Sequence, residues 1–281
     1  MKKLIKNGVK RFADGFVGVA GKTAIGRYVY AQIIDSAMER IQRVSHRNVD
    51  LVFAIPNAMC KFRADTFSPK EPETLEWIDA IPHGSTVWDI GANVGLHACY
   101  EAKARGCTVF AFEPSVFNLE VLARNIFLNG LTELITIIPL PLSDRLSVSK
   151  INMTATEWGA ALSTFGHGYG HDGAPIGKVF EVPTIGLSML DAVNLLGIRQ
   201  PDYIKMDVDG IEHLILQGGA QILRGTTSVS IEINDDFHAQ ANDAVRWLQA
   251  AGLSLKQKRH AEYFDSSPSA ARHTFNQVWT R

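Results

Sequence analysis

The sequence predicts a doubly wound α/β protein, and three observations carry that expectation. Residues 86–113, TVWDIGANVGLHACYEAKARGCTVFAFE, read as strand, glycine turn, helix and strand, half of a nucleotide-binding unit. Apolar runs such as 107–112 and 135–142 have the continuous character of strands buried on both faces. Between the strands lie stripes such as Leu119, Leu122, Ala123 and Ile126, spaced as a helix face laid on a sheet.

The first strand, 86–90, runs directly into Gly91, Asn93 and Gly95. Glycines there let the backbone turn sharply and approach a ligand. The helix that begins at Val94 ends at Gly106, and the next strand finishes on Glu113. A carboxylate at that place, about 20 residues past a glycine turn, accepts both hydroxyls of an adenosine ribose. Two cofactors satisfy this geometry, NAD and S-adenosylmethionine. A dinucleotide fingerprint needs G-x-G-x-x-G, but Asn93 replaces the middle glycine and Asp89 precedes the first. A carboxylate at Asp89 repels a pyrophosphate and suits an amino-bearing ligand. The loop therefore favours S-adenosylmethionine, and an NAD-dependent dehydrogenase is the disfavoured enzymatic alternative.

Residues 1–49 form a basic, helical N-terminal arm, with ten Lys or Arg against Asp14, Asp35 and Glu39. Residues 1–44 alternate basic and apolar positions; they suit a helix packed on the domain or across a dimer, with a peripheral contact to an anionic membrane as the alternative. GVAGKT at 18–23 fails as a P-loop because Phe16 stands where glycine is required. Residues 51–55 and 58–64 read as a hairpin turning at Pro56 and Asn57, and 70–82 as a helix. Past the helix at 115–129, the third strand, 135–142, ends before Ser143 and Asp144, placed to meet the adenine edge or to make a plain turn.

Residues 152–177 are a glycine-rich insertion read as a substrate lid. There Trp158 is a surface for stacking on a pyranose, and His167, Tyr169 and His171 are partners for sugar hydroxyls. His167 and His171 lack a third metal ligand nearby, so no metal is assigned. A strand at 179–185 and a helix at 188–196 follow. The strand 203–208 then carries Lys205 and Asp207 in an apolar setting, with Asp209 and Glu212 just beyond. A capping box from Asp209 to Glu212 explains those two acids, but not Asp207. Asp207 is thus the first candidate for a general base, with Glu212 second and Glu232 also near a strand tip. A strand at 228–233 and a helix to Gly252 precede two closing strands, 253–258 and 274–280, turning around SSPSA.

Taken together, VWDIGANVG, FAFEPS, PLSDR and DYIKMDVDGIEHLILQGGAQIL resemble the FkbM-type S-adenosylmethionine-dependent methyltransferases over about 62–232. The resemblance implies a Rossmann-like class I methyltransferase sheet of seven strands with the last pair antiparallel, helices on both faces, and an N-terminal helical/hairpin extension. It implies a methyltransferase domain over 50–281, with the cofactor half at about 84–145. Asp89, Gly91, Asn93, Gly95, Glu113, Ser143 and Asp144 become the cofactor-binding set, and Phe62, Arg63, Thr66 and Phe67 cover it. The implied reaction is O-methylation of a hydroxyl, on a sugar of a bacterial polysaccharide or on a glycosylated metabolite. A glycan-binding or assembly protein with a vestigial cofactor fold is the alternative from another class.

The remaining 18 Lys or Arg face 26 acids, so the body offers no basic groove for nucleic acid. Cys60, Cys99 and Cys107 lie in apolar runs without ligand spacing, and no apolar run reaches a membrane span. A cytoplasmic protein is expected, peripheral to the inner membrane if the arm binds lipid.

Overall fold

The computed structural model describes residues 2–260 and 273–281. It opens with helices α1 (Lys2–Ala20) and α2 (Ala24–Met38). Thr23 caps α2 by accepting from Gly26 N at 2.9 Å. Phe12 and Phe16 of α1 and Ile25 and Tyr28 of α2 are exposed.

A hairpin follows, β1 (Ile41–His46) and β2 (Val49–Ala54), turning through Arg47 and Asn48 at φ 44° and 66°. Paired left-handed residues are the turn that matches strand twist. The apolar run from Leu51 thus pairs backward, with 41–46. The expected partner, 58–64, is instead helix α3 (Ala58–Asp65), started by Asn57 accepting from Cys60 N at 2.8 Å. A satisfied helix cap outweighs a short alternation. The arm is correspondingly helical only to Met38 and strand beyond. Asn125 and Asn129 accept from Ala54 N and Val52 N, tying β2 to the body.

After α4 (Phe67–Lys70) and α5 (Pro72–Ala80) come β3 (Thr86–Ile90), α6 (Leu96–Arg105), β4 (Thr108–Phe112), α7 (Val116–Leu128) and β5 (Ile135–Ile138). The chain then leaves the main sheet for β6 (Ser147–Met153), β7 (Ser163–Phe165) and β8 (Phe180–Gly186), a small antiparallel sheet in the order β7-β6-β8. The insertion expected to be irregular is therefore anchored in this sheet. The strand at 179–185 exists, but it pairs with β6. Helix α8 (Met189–Leu196), β9 (Tyr203–Met206), α9 (Glu212–Gly218), α10 (Ala220–Leu223), β10 (Ser228–Asn234), α11 (His238–Ala250), β11 (Ser254–Arg259) and β12 (Thr274–Thr280) complete the chain.

The main sheet has the order β11-β12-β10-β9-β3-β4-β5. β12 alone is reversed, antiparallel to β10 and β11, as the sequence led one to expect. The turn around SSPSA lies outside the described residues. Trp88, Ile90, Phe112 and Ile204 meet α8, α9 and α11 in one core. Val87, Val109 and Ala111 meet α5, α6, α7 and the hairpin in the other. The sheet order reverses between β3 and β9, where an α/β sheet opens a crevice at its carboxyl ends.

Candidate active site

Three cavities occupy that crevice and meet at the same four residues, Gly91, Asn93, Ala161 and Asp207. One is a 60 Å³ slot between Ile90, Phe112, Glu113, Leu142 and Phe165. A second, of 240 Å³, lies between α3 and the start of α6 and is bordered by Phe62, Phe67, His97 and Lys205. The third, of 220 Å³, reaches toward β10 and β12 past Arg63, Lys70, His171, Asp209, Glu232 and Asn276.

The junction is built by backbone that ordinary side chains resist. Gly91 has φ +85°, and a Cβ there would stand 1.8 Å from Asp207 O. Gly95 has φ +80°, with Leu122 Cδ1 2.3 Å from a Cβ position. Asn93 is itself left-handed, at φ 52°, a conformation asparagine tolerates better than most residues. Its amide donates to Glu113 Oε2 at 2.8 Å, while Ser115 N donates to Oε1 at 2.8 Å. A carboxylate oxygen can accept more than one hydrogen bond, and the Asn118 side chain adds to the two from the backbone. Burial pushes the Glu113 carboxyl up to about 7, against the pull of those two amides.

A strap, residues 158–163, roofs the junction and is held by side chains from five places. Asn57 donates to Trp158 O and Arg63 Nε to Gly159 O. Asn93 and Asn118 both donate to Ala160 O, and Asn118 also accepts from Gly159 N. Asp209 Oδ2 accepts from Leu162 N at 2.7 Å and Ser163 N at 3.3 Å. Leu162 and Asp209 have φ 62° and 63°, conformations that persist only where the surroundings over-determine them.

Asp207 follows the tip of β9 and borders all three cavities. The expected capping box does not form: Asp209 serves the strap, and Glu212 turns back, its Oε1 accepting from Val208 N and its Oε2 from both Gly210 N and Gln240 Nε2. Three such donors leave a buried Glu212 bracing the turn that carries Asp207, outside the cavities. Burial raises its carboxyl to about 7, and burial followed by Asp207 raises Asp209 to about 6.

Other expected contacts move too. Asp89 is fully buried, with Lys205 Nζ 3.1 Å from Oδ1, so the cavity meets the lysine and not the acid. Burial pulls the Lys205 ammonium down, but Asp89 and then Asp207 outweigh it and hold it charged. Ser143 is buried and bonds Asp144, which pairs with Arg145. Leu140, Pro141 and Leu142 line the slot in their place. Trp158 packs on the cluster of Ala54, Cys60, Val94 and Val121. His167 and Tyr169 stack on each other, with Tyr169 against Phe237. His171 alone of the four expected substrate residues borders a cavity. The sequence reading missed Asn118, Ala161, Lys70 and Asn276, whose places depend on strands far away in the chain; only a tip acid such as Glu232 carries a local signal.

A glycine bend, the buried Glu113 carboxyl and an acid where three cavities meet lie at the carboxyl ends of a sheet in this order, the frame of an S-adenosylmethionine-dependent methyltransferase. The methyltransferase FkbM domain matches residues 89–255. The chain belongs to that family. It is similar to hexuronic acid methyltransferase AglP of Haloferax volcanii, 29% identical over 188 residues, 64% of this chain and 67% of that one. Among solved structures it is similar to methyltransferase FkbM from Methylobacillus flagellatus, with 13% identity and a TM-score of 0.49 over 92% of this chain and 60% of that one. A putative transferase from Pyrococcus horikoshii gives 10% identity and a TM-score of 0.48 over 85% and 70%.

Proposed function

We propose that the protein methylates a hydroxyl oxygen of a sugar. The observation that carries this is the meeting of three cavities at Asp207, which gives one place where donor and acceptor face a carboxylate. In this reading the slot beside Glu113 takes the adenosine, the cavity at the start of α6 takes the methionine end, and the cavity toward β10 takes the acceptor. S-adenosylmethionine, when bound, supplies a methyl group on a sulfonium. The protein's share is alignment and exclusion of water. Gly91 and Asn93 set the floor, the strap closes the roof, and Asp207 accepts the hydroxyl proton as the oxygen–methyl bond forms and the sulfur–methyl bond breaks.

The carbohydrate acceptor is supported by the Haloferax relative, whose name specifies a hexuronic acid, and by the polar wall of Asp209, Glu232, Thr274 and Asn276. Incubation with methyl-labelled S-adenosylmethionine and a panel of glycans and sugar nucleotides tests the reading. Base-stable label on a sugar hydroxyl is the expected result. Label only as a base-labile ester, or none on any carbohydrate, rejects it.

A further inference from the structure

The N-terminal helices carry apolar surface that the fold does not use. No described residue of α1 or α2 is buried, and Phe12, Phe16 and Val19, one stripe of α1, are 77%, 63% and 71% exposed. α2 presents a second stripe, Ile25, Tyr28, Val29 and Ile33, exposed throughout. A helix packed on the domain would bury its stripe, and neither does. The turn between them is nonetheless built: Arg27 Nη1 donates to Gly21 O at 3.3 Å and Lys22 O at 3.4 Å, beside the Thr23 cap.

Charge decides what covers these stripes. α1 holds Lys2, Lys3, Lys6, Lys10 and Arg11 against Asp14 alone. Carried back through the sequence at helical spacing, its stripe takes in Ile5 and Val9, while Lys3, Lys6, Lys10 and Arg11 fall outside it. Stripe-to-stripe pairing with the same arm of a second copy would crowd the cations of both copies around one seam. The body of a second copy offers little to offset them. Of its acids, Glu71, Glu73, Asp89, Glu101, Glu113 and Glu212 are buried, which removes most of the excess of 26 acids over 18 Lys or Arg from the surface. An anionic bilayer meets both demands, with acyl chains for the stripes and phosphates for the lysines and arginines. A Cβ at Gly8, Gly15 or Gly18 would meet nothing within 4 Å, so no packing in the fold repays the helix propensity these glycines forgo. A surface that covers the stripe does. Neither helix is long and apolar enough to cross a membrane, so the arm lies along it.

We propose that α1 and α2 are a docking surface for an anionic lipid bilayer, with the stripes of Phe12, Phe16 and Val19 and of Ile25, Tyr28, Val29 and Ile33 set among the acyl chains and the basic positions of α1 at the phosphates. The arm holds the methyltransferase at that surface, whichever acceptor the site takes.

Co-sedimentation of the full chain with vesicles of phosphatidylcholine alone, and of phosphatidylcholine mixed with phosphatidylglycerol, tests this, beside sedimentation equilibrium without lipid. The wild type should bind the mixed vesicles at least about tenfold more tightly than the neutral ones. It should be released as salt rises from about 0.1 to 1 M and the screening length falls from about 10 to 3 Å. Phe12→Glu combined with Phe16→Glu should weaken mixed-vesicle binding about tenfold or more. S-adenosylhomocysteine affinity of that variant should change less than about twofold, since exposed substitutions leave a fold intact. Lys3→Gln, Lys6→Gln and Lys10→Gln together should bring the two vesicle types to within about twofold of each other. Equal wild-type affinity for both vesicle types, or binding to neither, overturns the proposal. So does binding that survives Phe12→Glu with Phe16→Glu, or an anionic preference that survives loss of the three lysines. A dimer without lipid that the double phenylalanine variant dissociates also overturns it, assigning the stripes to a second copy.

Discussion

Asp207 carries two jobs in two different atoms. Its backbone oxygen lies 1.8 Å from where a Cβ on Gly91 would stand, and the residue borders all three cavities, where its side chain is the proposed base. These jobs separate by mutation. Asp207→Asn keeps the backbone and the shape, so S-adenosylmethionine affinity should hold within about twofold while kcat falls by ~10²–10⁴, the share of a general base; single-turnover kinetics beside calorimetry checks it, and unchanged turnover removes Asp207 from the chemistry. Gly91→Ala adds a Cβ 1.8 Å from Asp207 O at φ +85°. It should cost at least about 2–3 kcal/mol of stability in chemical denaturation, and a change under about 0.5 kcal/mol would mean that the loop relaxes freely. Such residues were legible in the sequence because a glycine after a buried strand announces its backbone. Asp89 misled for the opposite reason: the acid is real, but its partner, Lys205, lies 116 positions away and joins it only through the β3–β9 register.

At the scale of elements, the strap roofs the α/β crevice and divides it into three partly open cavities. Its hydrogen bonds come from Asn57, Arg63, Asn93, Asn118 and Asp209, on parts of the chain that share no sequence pattern. Asn118 is 3% exposed and bonds two consecutive strap residues. Asn118→Ala should leave a buried amide unsatisfied at about 1–3 kcal/mol, speed hydrogen exchange across 158–163 about tenfold or more, and weaken S-adenosylmethionine binding. Unchanged exchange would show that the strap stands without it. The insertion was visible as a departure from periodicity, but its internal sheet was not, since a strand such as SVSKINM exposes Val148 and Lys150 while partly covering Ser147 and Ser149, the reverse of an apolar-in, polar-out alternation. The hairpin was likewise half legible: its apolar strand is plain, while its partner, IQRVSH, has no fully buried residue and reads as more of the basic arm. The buried strands β3, β4, β9 and β10 were legible because burial on both faces leaves a continuous apolar signal.

Across the whole molecule, the site stores ionisable groups that burial holds away from their usual charge. Glu113 and Glu212 sit at about 7, above their ordinary 4.5. A folded carboxyl with a raised value binds protons that the unfolded chain has already lost, so stability falls as pH rises from about 4.5 through 7 and stays lower above it. His97 and His213, held below their ordinary 6.5 by burial, act in the opposite sense at lower pH. Between pH 6.5 and 8 the carboxyls dominate: the ligand-free Tm should drop over that interval, and S-adenosylmethionine should narrow the drop by favouring ionised Glu113. A Tm that rises over the interval contradicts the assignment. The three cysteines add nothing to this chemistry, being buried and free, with Cys60 pushed up by burial to about 11. No helix among the described residues is long and apolar enough to cross a membrane.

The claim beneath all of this is that the slot beside Glu113 holds the adenosine of the methyl donor. Titration calorimetry with S-adenosylmethionine on the wild type and on Glu113→Ala tests it most directly. Saturable heat from the wild type, with affinity lower by about tenfold to a hundredfold in the variant, is the predicted result. No heat from the wild type, or equal affinity in both proteins, would contradict it.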